Sequence, residues 1–302
     1  MESAAAHVPV LLHEVLDLMH VRPHGTYIDA TFGRGGHSCA LLHALDRDGR
    51  LVVIDRDPEA LACAYALAAD DPRVIVVDAA YSNLAACGLS NVDGILFDIG
   101  CSSPQIDDPA RGFSFRRDGP LDMRMDPRVP GTAADWVNTA DERELADVLW
   151  RYGEERRSRQ IARTIVAARR RSPLLTTTAL ATVVRSCFPY KGGRIDAATR
   201  TFQALRIFIN DELGELERAL EQALAVLAVG GRVLVIAFHS LEDRLVKRRF
   251  RDLDQAHRDD VVGSDGRRFQ LLGRRAVQAS DAEAARNPRA RSARLRALER
   301  CA

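Results

Sequence analysis

The stretch YIDATFGRGGHS, residues 27–38, decides the fold of this chain. It runs from a β-like segment through a glycine-rich turn into an apolar, helix-like segment. A strand, a glycine turn and a helix N-terminus together form a cradle that phosphates, dinucleotides and nucleoside methyl donors all use. The glycines alone do not separate these ligands, so the assignment depends on the residues that follow.

Candidate strands and helices alternate through the first third of the chain. The strands read TYIDAT, LVVID, RVIVVDA and DGILFDIG, with helix-like segments between them. After the second strand, Pro58 follows Asp57, which puts a proline at the first helical position directly behind an N-cap aspartate. This order predicts an α/β fold in which helices cover both faces of a mostly parallel, Rossmann-like sheet.

The alternation stops after Asp98. Residues 107–131 are rich in Pro, Gly, Asp and Arg, and the amphipathic segments beyond them carry helical spacing without strand signals. We therefore predict that residues 108–198 form an inserted helical domain, and that residues 1–107 and 199–302 form one discontinuous α/β domain.

The α/β pattern resumes after the insert. Residues 198–227 predict one long helix, and LAVGGRVLVIAF predicts a glycine turn into a buried strand. Ser240 and Asp243 have the spacing of a capping box, which predicts the start of a further helix. The basic segment 286–300 ends on a strand or a docked helix, and the sequence does not separate the two.

The composition is that of a soluble globular protein. Of the 302 residues, 46% are hydrophobic and 28% are charged, and no apolar run reaches membrane-spanning length. The N-terminus lacks the basic region of a signal peptide, so we expect a cytoplasmic protein without membrane contact. The six cysteines contain no CxxC pair, so we predict neither a metal site nor a disulfide framework.

The formal net charge of +1 shows no overall bias toward nucleic acid. Arginines nevertheless cluster in residues 156–171, 244–251 and 286–300. Such clusters are typical either of solvated faces or of a surface that contacts RNA, and both interpretations remain open at this stage.

The spacing within the glycine turn favours one ligand class. A dinucleotide fingerprint requires Gly or Ala at its third position, where this chain has Ser38 after Gly33 and Gly35. The loop that binds S-adenosylmethionine (SAM) has an acid at the end of the first strand and small residues two, four and six positions later. Asp29, Thr31, Gly33 and Gly35 satisfy that spacing, with threonine in the first glycine position.

Two further acids end later strands. Asp55 ends the second strand, where a carboxylate accepts ribose hydroxyls. Asp98 ends the fourth strand, beside the pocket expected at the carboxyl edge of the sheet. Three acids at successive strand ends favour SAM over NAD, and an NAD-dependent oxidoreductase remains the alternative.

The loop after the fourth strand predicts chemistry on an amino group. Ser102, Ser103 and Pro104 follow Asp98, as in methyltransferases that carry a loop of the form Asp/Asn/Ser-Pro-Pro-aromatic. An exocyclic base nitrogen is a poor nucleophile because its lone pair is delocalised into the ring. An acceptor oxygen on its N–H localises that lone pair. Since this loop lacks the aromatic residue, another ring must stack on the base; the candidates are Phe113, Phe115 and Tyr190.

Several longer motifs occur in order along almost the whole chain: DATFGRGGH, IDRDP, SSPQ, RGFSFRRDGPLDMRMD, YGEER, ATRTFQALRI, FHSLEDR and NPRAR. In these motifs the chain resembles the bacterial 16S ribosomal RNA cytosine-N4 methyltransferase family, RsmH or MraW. The resemblance implies SAM-dependent methylation of the N4 atom of the decoding-centre cytosine numbered 1402, within 16S RNA of the small subunit. It also implies a class I methyltransferase fold interrupted by a helical substrate-recognition domain.

The resemblance also implies site residues. The SAM contacts carried over by position are Gly35, Gly36, His37, Asp55, Tyr81, Asp98 and Gln105. We expect the groups that position or polarise the amine to be Asp98, Ser102 and Ser103. The target cytosine is expected to leave its stack, and the candidates for phosphate contacts are Arg156, Arg163, Arg289 and Arg291. A non-catalytic assembly factor that retains SAM is a second alternative, and whether His37 contacts SAM or only begins a helix stays open.

Overall fold

The computed structural model describes residues 9–188, 196–259 and 266–302. Within these residues the chain forms one seven-stranded sheet. Its strands are β1 (Thr26–Asp29), β2 (Arg50–Asp55), β3 (Val74–Asp78), β4 (Val92–Asp98), β5 (Leu227–Ala237), β6 (Phe269–Leu271) and β7 (Arg294–Arg300).

The strand order is β3-β2-β1-β4-β5-β7-β6. The first five strands in this order are parallel, and β7 is antiparallel to both of its neighbours. This is the order of the class I SAM-dependent methyltransferase fold, so the predicted fold class is confirmed. The basic C-terminal segment therefore ends on a strand, and the order reverses between β1 and β4, the place where open α/β sheets bind ligands.

The helices fill the connections between strands and the long segment between β4 and β5. They are α1 (Leu12–Met19), α2 (Gly36–Ala44), α3 (Pro58–Asp70), α4 (Ser103–Asp107), α5 (Ala133–Thr139), α6 (Glu142–Gly153), α7 (Ser158–Arg169), α8 (Thr177–Ser186), α9 (Thr199–Ile209), α10 (Glu212–Val226), α11 (Ser240–Arg258) and α12 (Asp281–Arg286). Short 3₁₀ turns span Tyr81–Cys87, Pro109–Arg111 and Pro288–Ser292.

Both faces of the sheet are covered, as the βα alternation predicted. Successive strand residues point to opposite faces, so Ile28 and Phe97 belong to one buried cluster while Tyr27 and Leu96 belong to another. Helices α10 and α11 pack on the first face, and α1, α2 and α3 pack on the second. Burying one such side chain stabilises the fold by about 1.5–3 kcal/mol.

The chain divides into two compact units, Met1–Gly100 with Leu213–Ala302, and Cys101–Glu212. The domain boundaries predicted from the sequence lie after residues 107 and 198 instead. Helix α9 belongs to the second unit because Phe202 and Leu205 are buried in the same cluster as the residues of α6, α7 and α8.

The prediction of one long helix over residues 198–227 is wrong. Helix α9 ends before Asn210, and Asp211 has the left-handed backbone angle φ 48°. The buried Asn210 side chain donates to the carbonyl of Met123 at 2.7 Å and accepts from the amide of Met125 at 2.8 Å. The side chain of Asn210 satisfies the backbone hydrogen-bonding groups of a loop distant in the sequence, and the helix ends at this position. The spacing of apolar residues does not predict such a contact.

Helix α11 is capped one residue earlier than predicted. Its capping box consists of His239 and Glu242, not Ser240 and Asp243. The Asp243 carboxylate accepts instead from Nε of Arg296 on β7, at 2.7 Å. Asp243, which was predicted to cap α11, therefore forms an ion pair that links α11 to β7.

Candidate functional site

The loop between β1 and α2 is organised by the acid that ends β1. Asp29 is 1% exposed, and it accepts from Oγ of Ser38 at 2.6 Å and from the amide of Thr31 at 3.2 Å. Burial raises the pKa of Asp29, while the bond from Ser38 opposes that rise. The serine that departs from the dinucleotide fingerprint is thus a structural partner of the buried acid.

Thr31 explains the other departure from the glycine pattern. Its Oγ1 accepts from the backbone amide of Asp98 at 2.7 Å, which ties the loop to the end of β4. A glycine at this position offers no such acceptor. Sequence reasoning did not find this contact, because the only sign of it is a threonine where a small residue was expected.

Three glycines shape the turn, and they differ in what surrounds them. Gly33 and Gly35 have φ 56° and φ 75°, backbone angles that residues other than glycine rarely adopt. A Cβ at Gly35 would lie 2.7 Å from the ring of Phe32, and one at Gly36 would collide with Pro9. A Cβ at Gly33 would have only an ordinary contact, 3.9 Å from the carbonyl oxygen of Thr31. Packing within the protein therefore requires glycine at 35 and 36, and the open side of the loop is at Gly33.

Asp55 joins the glycine loop to the turn after β2. Its Oδ2 accepts from the amide of Gly33 at 2.8 Å, and its Oδ1 accepts from the amides of Arg56 and Asp57 at 2.8 and 2.9 Å. Burial raises the pKa of Asp55, and these three bonds oppose the rise. A carboxylate offers about four acceptor positions, so one remains for a ribose hydroxyl. Binding both hydroxyls would require the bond from Gly33 to open.

Tyr81 begins the 3₁₀ turn that follows β3. Its ring packs edge-on against Phe97 of β4, with the ring centres 6.0 Å apart. The tyrosine is half-buried against the first face of the sheet. The contact fixes the ring orientation beside the carboxyl edge, as a residue that packs on adenine requires.

The least satisfied acid at this edge is Asp98. Among the described residues its Oδ1 is buried without a hydrogen-bond partner, and its Oδ2 lies 3.5 Å from Nδ1 of His37. The pKa of Asp98 is raised to about 6, first by burial and then by the charges of Asp29 and Glu242, with His37 opposing. The side chain is still 26% exposed, so a ligand can reach the carboxylate.

His37 is the second residue of α2 and is 6% exposed. Its Nε2 lies 3.0 Å from the carbonyl oxygen of Val10, and only a protonated Nε2 can bond there. In a neutral ring Nδ1 then carries a lone pair toward Asp98. His37 thus lies in the first turn of the helix and faces the acid at the sheet edge.

These groups fit a ligand with three distinct parts. Asp98 offers an under-bonded carboxylate for a cationic amine, Asp55 offers one acceptor position for a ribose hydroxyl, and Tyr81 offers a fixed ring for a base. SAM carries an amine, a ribose and an adenine. The donor set of the first unit therefore suits SAM.

Ser102, Ser103 and Gln105 lie in the second unit, around the short helix α4. Ser102 is the N-cap of this helix, and its amide donates to Oε1 of Gln105 at 2.9 Å. Gln105 is 5% exposed, and both serines are half-buried. The side-chain oxygen of Gln105 thus has a capping role in addition to the predicted contact with SAM.

The aromatic candidates differ in their surroundings. Phe115 packs edge-on against Phe202 with ring centres 4.8 Å apart, and Arg185 lies 5.3 Å from the Phe115 ring centre. Phe113 has Arg111 at 5.9 Å from its ring centre. Tyr190 lies outside the described residues.

The predicted phosphate-contacting arginines fall in both units. Arg156 and Arg163 are exposed in the helical unit, and Arg163 lies 3.7 Å from Glu142. Arg289 and Arg291 lie on the 3₁₀ turn before β7. Within the described parts of the chain, no helix has both the length and the apolar character to cross a membrane.

A family model described as the MraW methylase family matches residues 4–301. The protein named "Ribosomal RNA small subunit methyltransferase H" of Rhodospirillum centenum is 52% identical over 310 residues, which cover 99% of this chain and 93% of that protein. The protein of the same name from Nitrosococcus oceani is 50% identical over 311 residues, covering 98% of this chain and 97% of its own.

Among solved structures, an rRNA methylase from Streptococcus thermophilus aligns over 98% of this chain and all of its own, at 13% identity and a TM-score of 0.46. The family and sequence matches do not support an NAD-dependent oxidoreductase or a non-catalytic SAM-binding factor.

Proposed function

The chain belongs to the MraW methylase family, and we propose that it transfers a methyl group from SAM to the N4 atom of a cytosine in 16S ribosomal RNA. Its partner is the small ribosomal subunit, and its compartment is the cytoplasm. This substrate class is supported by the relatives named as ribosomal RNA small subunit methyltransferase H. They are 52% and 50% identical to this chain over nearly its whole length.

One observation carries the assignment of the donor site. Asp98 ends β4 at the point where the strand order reverses, and among the described residues the one polar partner of its carboxylate is His37, at 3.5 Å. A carboxylate with a raised pKa and a buried, unbonded oxygen is stabilised by a cationic partner. The ammonium group of SAM is such a partner.

The reaction needs an acceptor for the amine proton and a fixed geometry. SAM supplies an electrophilic methyl group bonded to a sulfonium centre. When the methyl group is transferred, the sulfur becomes a neutral thioether. Ser102 and Ser103 have hydroxyls that accept a hydrogen bond from an N–H, and such a bond concentrates the nitrogen lone pair. The proton that the nitrogen releases once the N–CH3 bond has formed passes to water. Holding the nitrogen in line with the methyl group supplies most of the remaining acceleration.

The helical unit, Cys101–Glu212, is proposed to recognise the RNA. Its exposed arginines, among them Arg156 and Arg163, would contact phosphates, so RNA binding should weaken as salt rises. The target cytosine must leave its stack before its amine can react.

Small subunits that lack the modification, incubated with methyl-labelled SAM and then digested to nucleosides, test the proposal. We expect N4-methylcytidine at one position, together with thermal stabilisation by SAM and none by NAD. Labelled product in another nucleoside, or no product with subunits at every stage of assembly, would overturn the substrate assignment.

The proposed role of Ser103 has its own test. Ser103→Ala should lower kcat by about 10²-fold if its hydroxyl polarises the amine, with the SAM dissociation constant unchanged. Ser172→Ala, at an exposed serine of the same unit, is the matched control and should keep the wild-type kcat. Equal kcat values for the two variants would remove Ser103 from the reaction.

A further inference from the structure

A cavity of about 440 Å³ lies in the sheet-containing unit beside the first turns of α11. Four cationic side chains line it: Arg244 and Lys247 from α11, Arg291 from the 3₁₀ turn, and Arg294 from the first position of β7. Ser240 joins them, and Ser240, Arg244 and Lys247 share one face of α11 because they are spaced i, i+4 and i+7. The volume is that of a small-ligand site.

Two of the four cationic groups in the cavity are uncompensated. In the part of the chain that the structure describes, the one acidic residue that lines the cavity is Asp243, and it already accepts from Arg296 at 2.7 Å, so that carboxylate is neutralised. Among the described residues, neither Lys247 nor Arg294 has an acidic partner within ion-pair distance, and both are exposed. Like charges gathered in one concavity repel one another, and an anion bound there relieves the repulsion.

The sheet register places the cavity close to the donor site. Asp98 on β4 pairs with Ile236 on β5, and the next residue of β5, Ala237, pairs with Arg294 on β7. Arg294 is therefore two strand spacings from Asp98, or about 10 Å across the sheet. The residues that line the cavity are nevertheless different from the residues that suit SAM, namely Asp55, Tyr81 and Asp98.

We propose that this cavity binds phosphodiester groups of the substrate RNA, on nucleotides next to the target cytosine. The inference rests on the proposed function and adds a location to it. Three guanidinium groups and an ammonium group recognise phosphate oxygens, and Arg pairs with phosphate in bidentate fashion. Contacts of this kind fix the register of the strand and carry no sequence information.

The test uses the full-length protein and a fluorescent single-stranded RNA oligonucleotide that contains no cytosine. Its affinity is measured by anisotropy over a series of KCl concentrations. Each phosphate contact contributes about 0.7 to the slope of log K against log salt for a single strand. The variant Lys247→Gln with Arg294→Gln should lower this slope by about 0.7 to 1.4, if one or two phosphates are released.

The control removes the same charge elsewhere in the same unit. Arg47→Gln with Arg50→Gln alters two exposed arginines, one in the turn before β2 and one at the first position of β2. They lie at the amino ends of the parallel strands, whereas Arg294 lies at the carboxyl ends. This control should keep the wild-type slope, and both double variants should keep the wild-type SAM affinity. If the cavity variant loses thermal stability, the single change Lys247→Gln, at an exposed helical position, repeats the test.

Equal slopes for the wild type and the cavity variant would overturn the proposal, as would an equal fall in the control. A further arm titrates inorganic phosphate at constant ionic strength. Tight phosphate binding that is lost in the cavity variant, with an unchanged RNA slope, would assign the cavity to a free anion and overturn the RNA contact. Because the oligonucleotide has no cytosine and no methyl transfer is measured, failure of the proposed methylation would show separately, in the nucleoside assay.

Discussion

Asp98→Asn should stabilise the ligand-free protein at neutral pH while it abolishes SAM binding. In the folded chain the pKa of Asp98 is raised from 3.8 to about 6, chiefly by burial. Between these two values the folded state holds a proton that the unfolded chain has released. Stability therefore falls as the pH rises, and the full cost, reached above pH 6, is about 3 kcal/mol. The amide of asparagine has the same shape and no charge to desolvate.

The assay is urea denaturation of both proteins at pH 5 and at pH 8. Over this range the wild type should lose about 1.4 kcal/mol more stability than Asp98→Asn, since part of the cost is already present at pH 5. Asp70→Asn, at an exposed position at the end of α3, is the control and should follow the wild type.

SAM should reverse the ranking of the two proteins. At 1,000 times its dissociation constant SAM adds about 4.1 kcal/mol to the wild type, which exceeds the cost of about 3 kcal/mol, and it adds nothing to a variant that does not bind it. Below pH 6 the proton on Asp98 competes with the ammonium group, so the affinity should fall about tenfold per pH unit. Parallel stability curves for the wild type and Asp98→Asn, or a SAM affinity independent of pH between 4.5 and 6, would refute this reasoning.

Two further predictions concern the glycine loop. Gly35→Ala should lower the free energy of unfolding by more than about 2 kcal/mol, of which about 1 kcal/mol comes from the positive φ and the rest from the clash with Phe32. Gly88→Ala, also at positive φ but in open space, should lower it by only about 1 kcal/mol. Urea denaturation of both variants checks this, and equal losses would contradict the clash. Ser38→Ala should lower the free energy of unfolding by about 1.5–3 kcal/mol, because Asp29 loses a hydrogen-bond donor at 2.6 Å. This loss should grow as the pH rises through the pKa of Asp29, since the bond stabilises the charged carboxylate. A loss of stability that does not change with pH would contradict the bond.

The fold was predictable from the sequence because its determinants are local. Each strand of the α/β part is a short apolar run followed by turn residues, and Asp57 with Pro58 predicted a helix start that the structure confirms. The helix break at Asn210 was not predictable, since it depends on Met123 and Met125, which lie far away in the sequence.

The candidate site was predictable in part. The spacing from Asp29 identified the loop, and strand ends identified Asp55 and Asp98. The roles of Ser38 and Thr31 were not evident, because each is a hydrogen bond across the loop and looks like a departure from a motif in the sequence. The roles of Ser102, Ser103 and Gln105 in the reaction stay predictions.

By itself the sequence determined the alternation of strands and helices in the first third of the chain, the glycine loop and the acids at the strand ends, because backbone propensity and hydrophobic period act over a few neighbouring residues. The tertiary structure alone decided that His37 faces Asp98 and that β7 lies between β5 and β6. It also gathered Lys247 and Arg294 around one cavity. These arrangements join residues far apart in the chain, and their energies depend on desolvation and charge pairing that exist only once the sheet has formed.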